Sequence, residues 1–202
     1  MEYRDLVKKL EESGDLRRIT RKVDPKYEMA AIMKRLDLED GPAVLFENIG
    51  GHKGMSVVGN LYSSRRRIAF AMGTQGDERS PGNKLSEAIA RKFAQLTEEP
   101  GLCQVIESGA IKDVIYHGEK ANVLKLPVLT HCEKDGGPYI SAGVVISKDP
   151  ETKKRAIQVI EIQVKSDRRL TISPVCPPIV NSYAKAEAMG KSLETAIIGA
   201  KN

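Results

Sequence analysis

The residues of this chain with the most chemical capacity are three cysteines, three histidines and a few clustered charges. Cys103, Cys132 and Cys176 stand far apart, form no CxxC, and are not completed to a metal-ligand spacing by His52, His117 or His131. They read as small buried hydrophobes of a reducing compartment. His131 and Glu133 are a candidate acid–base pair, although the spacing does not require it. Ser63 followed by Arg65, Arg66 and Arg67 is a candidate anion site at a helix start. Lys148 and Arg155 are candidates to neutralise a phosphate. Each of these charges also reads as solvated surface.

The stretch GGPYISAGVVISKDPETKKRAIQVIEIQV, residues 136–164, raises a different possibility. It predicts a strand, a loop of turn formers and a second strand. Gly136, Gly137, Ser141, Ala142 and Gly143 keep the first strand slim. A slim strand admits either a flat ligand or a closely packed neighbour, and both readings stand.

The elements around it follow from pattern. Tyr3, Leu6, Val7 and Leu10 predict a helix over 2–13 that Gly14 stops. LRRIT (16–20), AVLFE (43–47) and SVVGNL (56–61) predict strands. Asp24-Pro25 predicts a helix start, with Met29, Ile32, Met33 and Leu36 as its apolar stripe. Ser63 or Ser64 caps a helix carrying Ile68, Ala69, Phe70 and Met72. The polar stretch 73–83 predicts a mobile loop, and Leu85, Ile89, Phe93 and Leu96 predict a helix over 84–97. Beyond residue 102 the short apolar runs LCQVIESG, DVIYHG, VLKLPVL and RLTIS predict successive strands. Pro177-Pro178 breaks that pattern. A helix over 179–190 and a strand over 193–200 follow.

The chain has 202 residues, 41% hydrophobic and 29% charged, enough for one large or two small globular domains. No apolar run approaches the ~18 residues of a membrane span, and the N-terminal residues lack the apolar core of a signal peptide. The expectation is a cytoplasmic protein off the membrane. A net charge of +5 and aromatics of only 4% come without any nucleic-acid motif, so no nucleic-acid partner is expected.

Three blocks in order, GPAVLFENIGGHKGMSVVGNLYSSRRRIAFAMG (41–73), LPVLTHCEKDGGPYISAGVVISKDPETKKR (126–155) and YAKAEAMGKSLETAIIGA (183–200), resemble the UbiD family of prenylated-FMN-dependent decarboxylases. The resemblance implies an α+β fold, with an N-terminal α/β domain (1–101) followed by a partial antiparallel split β-barrel of flavin-reductase type (102–202). Members of the family are commonly more than twice this length. The rest of the barrel and an oligomerisation domain are therefore expected to follow residue 202.

The resemblance also implies prenylated FMN, a divalent metal (Mn or Mg) with potassium, and a flavin prenyltransferase as cofactor supplier. It implies a small carboxylic acid as substrate. The cofactor contacts fall on Ser141 and Gly143 of the first hairpin strand and on Gln158, Val159, Ile160 and Glu161 of the second. The family's metal-ligating Asn falls on Ala156, its substrate-steering Arg on Glu161, and its His near Cys176. No Asn stands between Arg155 and Pro174 to repair the first mismatch. No catalytic residue and no metal ligand can be assigned.

Two functions follow. One is a UbiD-type carboxy-lyase acting as a short subunit, with another chain bringing the missing groups. The other is an assembly or regulatory subunit that keeps the fold. A plain flavin reductase is a weaker third. An open sheet edge predicts a homo-oligomer or a partner subunit.

Overall fold

The computed structural model describes residues 3–73, 81–98, 106–109 and 112–199. The chain divides into two compact units. One holds Met1–Lys22, Ile32–Asn48 and Ser56–Lys120, the other Val23–Ala31, Ile49–Met55 and Ala121–Asn202.

The first unit opens with helix α1 (Tyr3–Glu12), which buries Leu6 and Leu10. Gly14 at φ +74° ends it. The Gly14 N–H donates to the Glu11 carbonyl and the Asp15 N–H to the Leu10 carbonyl, the paired bonds of a Schellman cap. Strands β1 (Leu16–Ile19) and β2 (Ala43–Phe46) pair in parallel, and β3 (Val57–Gly59) adds antiparallel to β2. Leu6, Leu10, Ala43 and Leu61 form the core under this sheet, with Leu16, Val58 and Phe70 packed against it.

Helix α2 (Glu28–Leu38) carries the expected stripe, with Met29 and Leu36 buried, but starts three residues after Pro25. Asp24 does not cap a helix. Its Oδ1 accepts the Lys26 N–H in an Asx turn, and Tyr27 at φ +72° turns the backbone away before the helix begins. Ser64 caps helix α3 (Arg65–Ala71), its Oγ accepting the Arg67 N–H.

Helix α4 (Pro81–Glu98) starts inside the stretch expected as a loop. Residues 74–80 of that stretch lie outside the described residues. In α4 Ala88 is buried, whereas Ile89 and Phe93 of the predicted stripe are exposed and Leu85 is half-buried.

In the second unit a four-stranded sheet has the order β6-β5-β4-β7, all antiparallel. These are β4 (Tyr139–Lys148), β5 (Arg155–Val164), β6 (Leu170–Thr171) and β7 (Thr195–Ile198). The sheet curls into a half-barrel, and the chain has the α+β fold expected of it. Pro177 and Pro178 open helix α5 (Pro177–Ala188), where a missing N–H costs nothing. Val145, Ala156, Ile162 and Ile179 make the core between sheet and helix.

The runs expected as strands before the hairpin differ. The described parts of 106–118 contain no strand, and Val123–Lys125 is a 3-10 turn. Leu129 makes one bridge, to Tyr139. Val114, Ile115 and Tyr116 are more than half exposed.

Candidate functional site

The β4–β5 hairpin has two unlike faces, set by the two-residue side-chain period. Val145 pairs with Gln158 and Gly143 with Ile160 on the face beneath α5. Val144 pairs with Val159, Ile146 with Ile157 and Lys148 with Arg155 on the other. β7 continues that outward face with Ala196 and Ile198, opposite Ile146 and Val144. Ile157 and Val159 are 60% and 68% exposed.

The predicted cofactor residues divide between these faces. Val159 and Glu161 project outward and are exposed. Ser141 is exposed beside the register shift between Ile140 and Gly143. Gln158, Ile160 and Gly143 lie on the α5 side. Gln158 Oε1 accepts the Cys176 N–H at 3.2 Å, tying β5 to the start of α5. Ile160 packs against the core. A Cβ on Gly143 would stand 2.3 Å from Ile162 Cδ1, so its missing side chain makes room for a neighbouring strand.

Ala156, at the position of the family's Asn, is buried against that core and carries no oxygen for a hard cation. Cys176 is the N-cap of α5 and makes no side-chain cap bond. Among the described residues no three His, Cys, Asp or Glu side chains come together as a metal site. The residues present therefore do not fit the family's metal.

The other candidates resolve as follows. No hydrogen bond joins His131 to Glu133. Instead, Asp135 Oδ2 accepts the backbone N–H groups of His131 and Cys132 and shapes the turn. The arginine cluster is occupied: Arg66 and the buried Arg67 both pair with Asp15, at 2.8 and 3.2 Å. Two of its three arginines are thus held in an internal ion pair.

One group was not anticipated. Asp149 in the hairpin loop accepts the N–H groups of Glu151 and Thr152 and the Nζ of Lys185 at 2.9 Å. Lys185 also pairs with Glu151. An open cavity of about 460 Å³ lies beside them, lined by Thr152, Lys154, Asn181 and Ser182. The DPET sequence announces the Asx turn. Nothing local announces a lysine on α5.

The Thr152 N–H, and after it Lys185, hold the Asp149 carboxyl well below the usual carboxylate range. Glu151 and then Asp149 raise Lys185. A carboxyl depressed in the folded state stabilises above its unfolded value, near ~3.9, and loses that contribution as pH falls through the folded value. Asp149→Asn should therefore lower the thermal midpoint at neutral pH. The gap to the parent chain should shrink on acidification below pH ~4. Parallel melts at neutral and acid pH check this, and a constant gap would contradict it.

Among the described residues no helix is long and apolar enough to cross a membrane. The 3-octaprenyl-4-hydroxybenzoate carboxy-lyase N-terminal domain matches residues 7–89, and the Rift-related domain of the same family matches residues 104–201. The anhydromevalonate phosphate decarboxylase of Methanosarcina mazei is 32% identical over 98% of this chain and 42% of its own length. An evolved dimeric form of the UbiD-class enzyme HmfF from Pelotomaculum thermopropionicum, solved in complex with prFMN, aligns with a TM-score of 0.83. It is 32% identical over 98% of this chain and 44% of its own. The vanillic acid decarboxylase of Sedimentibacter hydroxybenzoicus in its closed form aligns with a TM-score of 0.86, at 30% identity over 97% of this chain and 42% of its own. The chain spans less than half the length of these relatives. Two matched domains that follow one another over most of the sequence, on a half-barrel shared with these enzymes, establish that this chain belongs to the UbiD family.

Proposed function

We propose that this chain is a short subunit of a UbiD-type carboxy-lyase, working in the cytoplasm on an aromatic or α,β-unsaturated carboxylic acid with prenylated FMN. The observation that carries the reading is the outward face of the hairpin. There an apolar floor of Val144 and Val159 runs up to two opposed cations, Lys148 and Arg155. A flavin fits that gradient: apolar ring over the floor, phosphate against the cations. When bound, prenylated FMN supplies the electron sink for loss of carbon dioxide.

The chain's own residues do the holding. Lys148 and Arg155 neutralise phosphate charge, Val159 and Val144 exclude water from one side of the ring, and Ser141 offers a hydroxyl at the far end. Glu161 stands where a carboxylate substrate would have to be steered, and like charge repels it. The steering cation, the proton-transfer acids and the metal-ligating oxygen must then come from groups other than Ala156 and Glu161. The vanillic acid decarboxylase relative, one of whose structures carries a truncated VdcD component, offers a precedent for a second component.

A second reading has a specific observation behind it. Ala156 and Glu161 together remove metal ligation and substrate steering, as expected of a regulatory or assembly subunit that keeps the fold.

The test is native mass spectrometry after coexpression with a flavin prenyltransferase. A mass increment of one prenylated FMN per chain, lost in Lys148→Glu/Arg155→Glu, supports the enzyme subunit. A flavin-free complex with another protein supports the assembly role.

A further inference from the structure

The end of the β4–β5 hairpin carries two arrangements that are unfavourable by themselves. Lys148 and Arg155, both exposed, sit directly opposite each other on the outward face, a like-charge cross-strand pair. In the loop between them Lys153 takes φ +60°, a left-handed conformation that residues with a Cβ resist. The loop also supplies two carboxylates, Asp149 and Glu151, close in sequence to these cations. Neither neutralises them. Among the described residues no ion pair engages Lys148 or Arg155.

Both carboxylates are instead taken up by one residue. Lys185 Nζ stands 2.9 Å from Asp149 Oδ2 and 2.8 Å from Glu151 Oε2. Lys185 belongs to α5, which packs on the opposite face of the sheet through the buried Ile179, with Ser182 and Ala186 buried on the same helix. Asp149 follows Lys148 by one position and turns to the α5 side, as the two-residue period requires. A lysine fixed on a packed helix thus holds the loop's negative charge on one side of the hairpin and leaves the two opposed cations unneutralised on the other. Asp149 Oδ1 meanwhile accepts the Glu151 and Thr152 N–H groups, so the same side chain fixes the turn.

We propose that Lys185 is a positioning residue for a phosphate on the outward face: by holding Asp149 and Glu151 on the α5 side it keeps Lys148 and Arg155 available to a phosphate monoester such as that of FMN. The role rests on the flavin reading above and adds to it a residue that touches neither the ring nor its phosphate. Without Lys185 the exposed Glu151 can fold onto Lys148 or Arg155, and an ion pair formed there competes with the phosphate for the same donors.

FMN and riboflavin, which differ only in the phosphate, are titrated into the intact protein by fluorescence quenching. The parent should bind FMN about tenfold or more tighter than riboflavin, as expected of charge-assisted hydrogen bonds to the phosphate. Lys185→Met should weaken FMN about tenfold and leave riboflavin within about twofold. Lys185→Arg, which keeps a cation within reach of both carboxylates, should retain the preference. Adding Asp149→Asn and Glu151→Gln to Lys185→Met should restore FMN affinity to within about threefold, because the amides keep acceptor oxygens for the turn and carry no charge to compete. Circular dichroism checks that each variant is folded, and the titrations are run below the lowest melting midpoint.

A purely structural role for Lys185 would weaken both flavins together and would worsen with the two amides, and that result overturns the proposal. So does an FMN preference untouched by Lys185→Met, or a parent that binds the two flavins equally. A parent that binds neither flavin overturns the flavin reading itself. A parent that prefers FMN whatever stands at position 185 leaves that reading in place and removes only the positioning role.

Discussion

Arg67→Met should lower the stability of the unit that contains it by about 3 kcal/mol, seen as a fall in the urea midpoint. The side chain of Arg67 is 4% exposed. Its Nη1 donates to Asp15 Oδ1 and to the Gly41 carbonyl at 3.1 Å, and its Nη2 donates to Ser63 Oγ. One guanidinium thus ties the turn after α1, the approach to β2 and the turn before α3. Methionine fills similar volume and leaves Asp15 buried beside an unfilled carbonyl and hydroxyl. The loss sits at the low end for a broken buried pair, because the more exposed Arg66 remains on Asp15. Arg67→Lys should recover little, since one ammonium cannot reach three acceptors held in a guanidinium fork. Asp15→Leu with Arg67→Met should lose less than the sum of the two single changes, because no buried charge is then left alone. Additive losses would show that the two side chains do not act as a pair.

The same ion pair shows where sequence reading ends. The arginine run at 65–67 looked like a surface cluster facing an anion because its partner lies fifty-two positions earlier. Asp149 and Lys185 are thirty-six apart and equally invisible as a pair. Features governed by a few neighbouring residues were readable. Gly14 ended α1, Ser64 capped α3, and the alternation on either side of DPETKK produced the hairpin.

Local signals failed where two of them competed. Asp24 could cap a helix or close an Asx turn, and the turn prevailed. The apolar runs between 106 and 129 resembled strands in composition, but a strand exists only with a partner, which composition does not reveal. The hairpin's candidate residues were read as one contiguous stretch, although neighbours in a strand point to opposite faces. Only the register separates Val159 and Glu161 from Gln158 and Ile160.

Gly143 is where the packing and ligand readings predict opposite results. If the missing side chain serves packing, Gly143→Ala should cost about 1–3 kcal/mol of stability, because the new methyl would overlap Ile162 in a filled core. Ile162 is completely buried, so its Cδ1 has no open space into which to swing away. The Cβ would also stand 3.1 Å from Ile162 Cγ1 and 3.4 Å from the Ile160 carbonyl, so the strand itself limits relief. Ile162→Val removes the offending Cδ1 and by itself should cost roughly 0.5–1.5 kcal/mol. The double variant should be more stable than the sum of the single changes predicts, with the coupling appearing in thermal or urea melts. A ligand role predicts the reverse. Stability would hardly move, flavin affinity would fall, and Ile162→Val would rescue nothing. The pair of melts therefore decides whether glycine at this position belongs to the barrel's own packing or to a flavin lying against β4. The 2.3 Å approach of Ile162 argues for the packing.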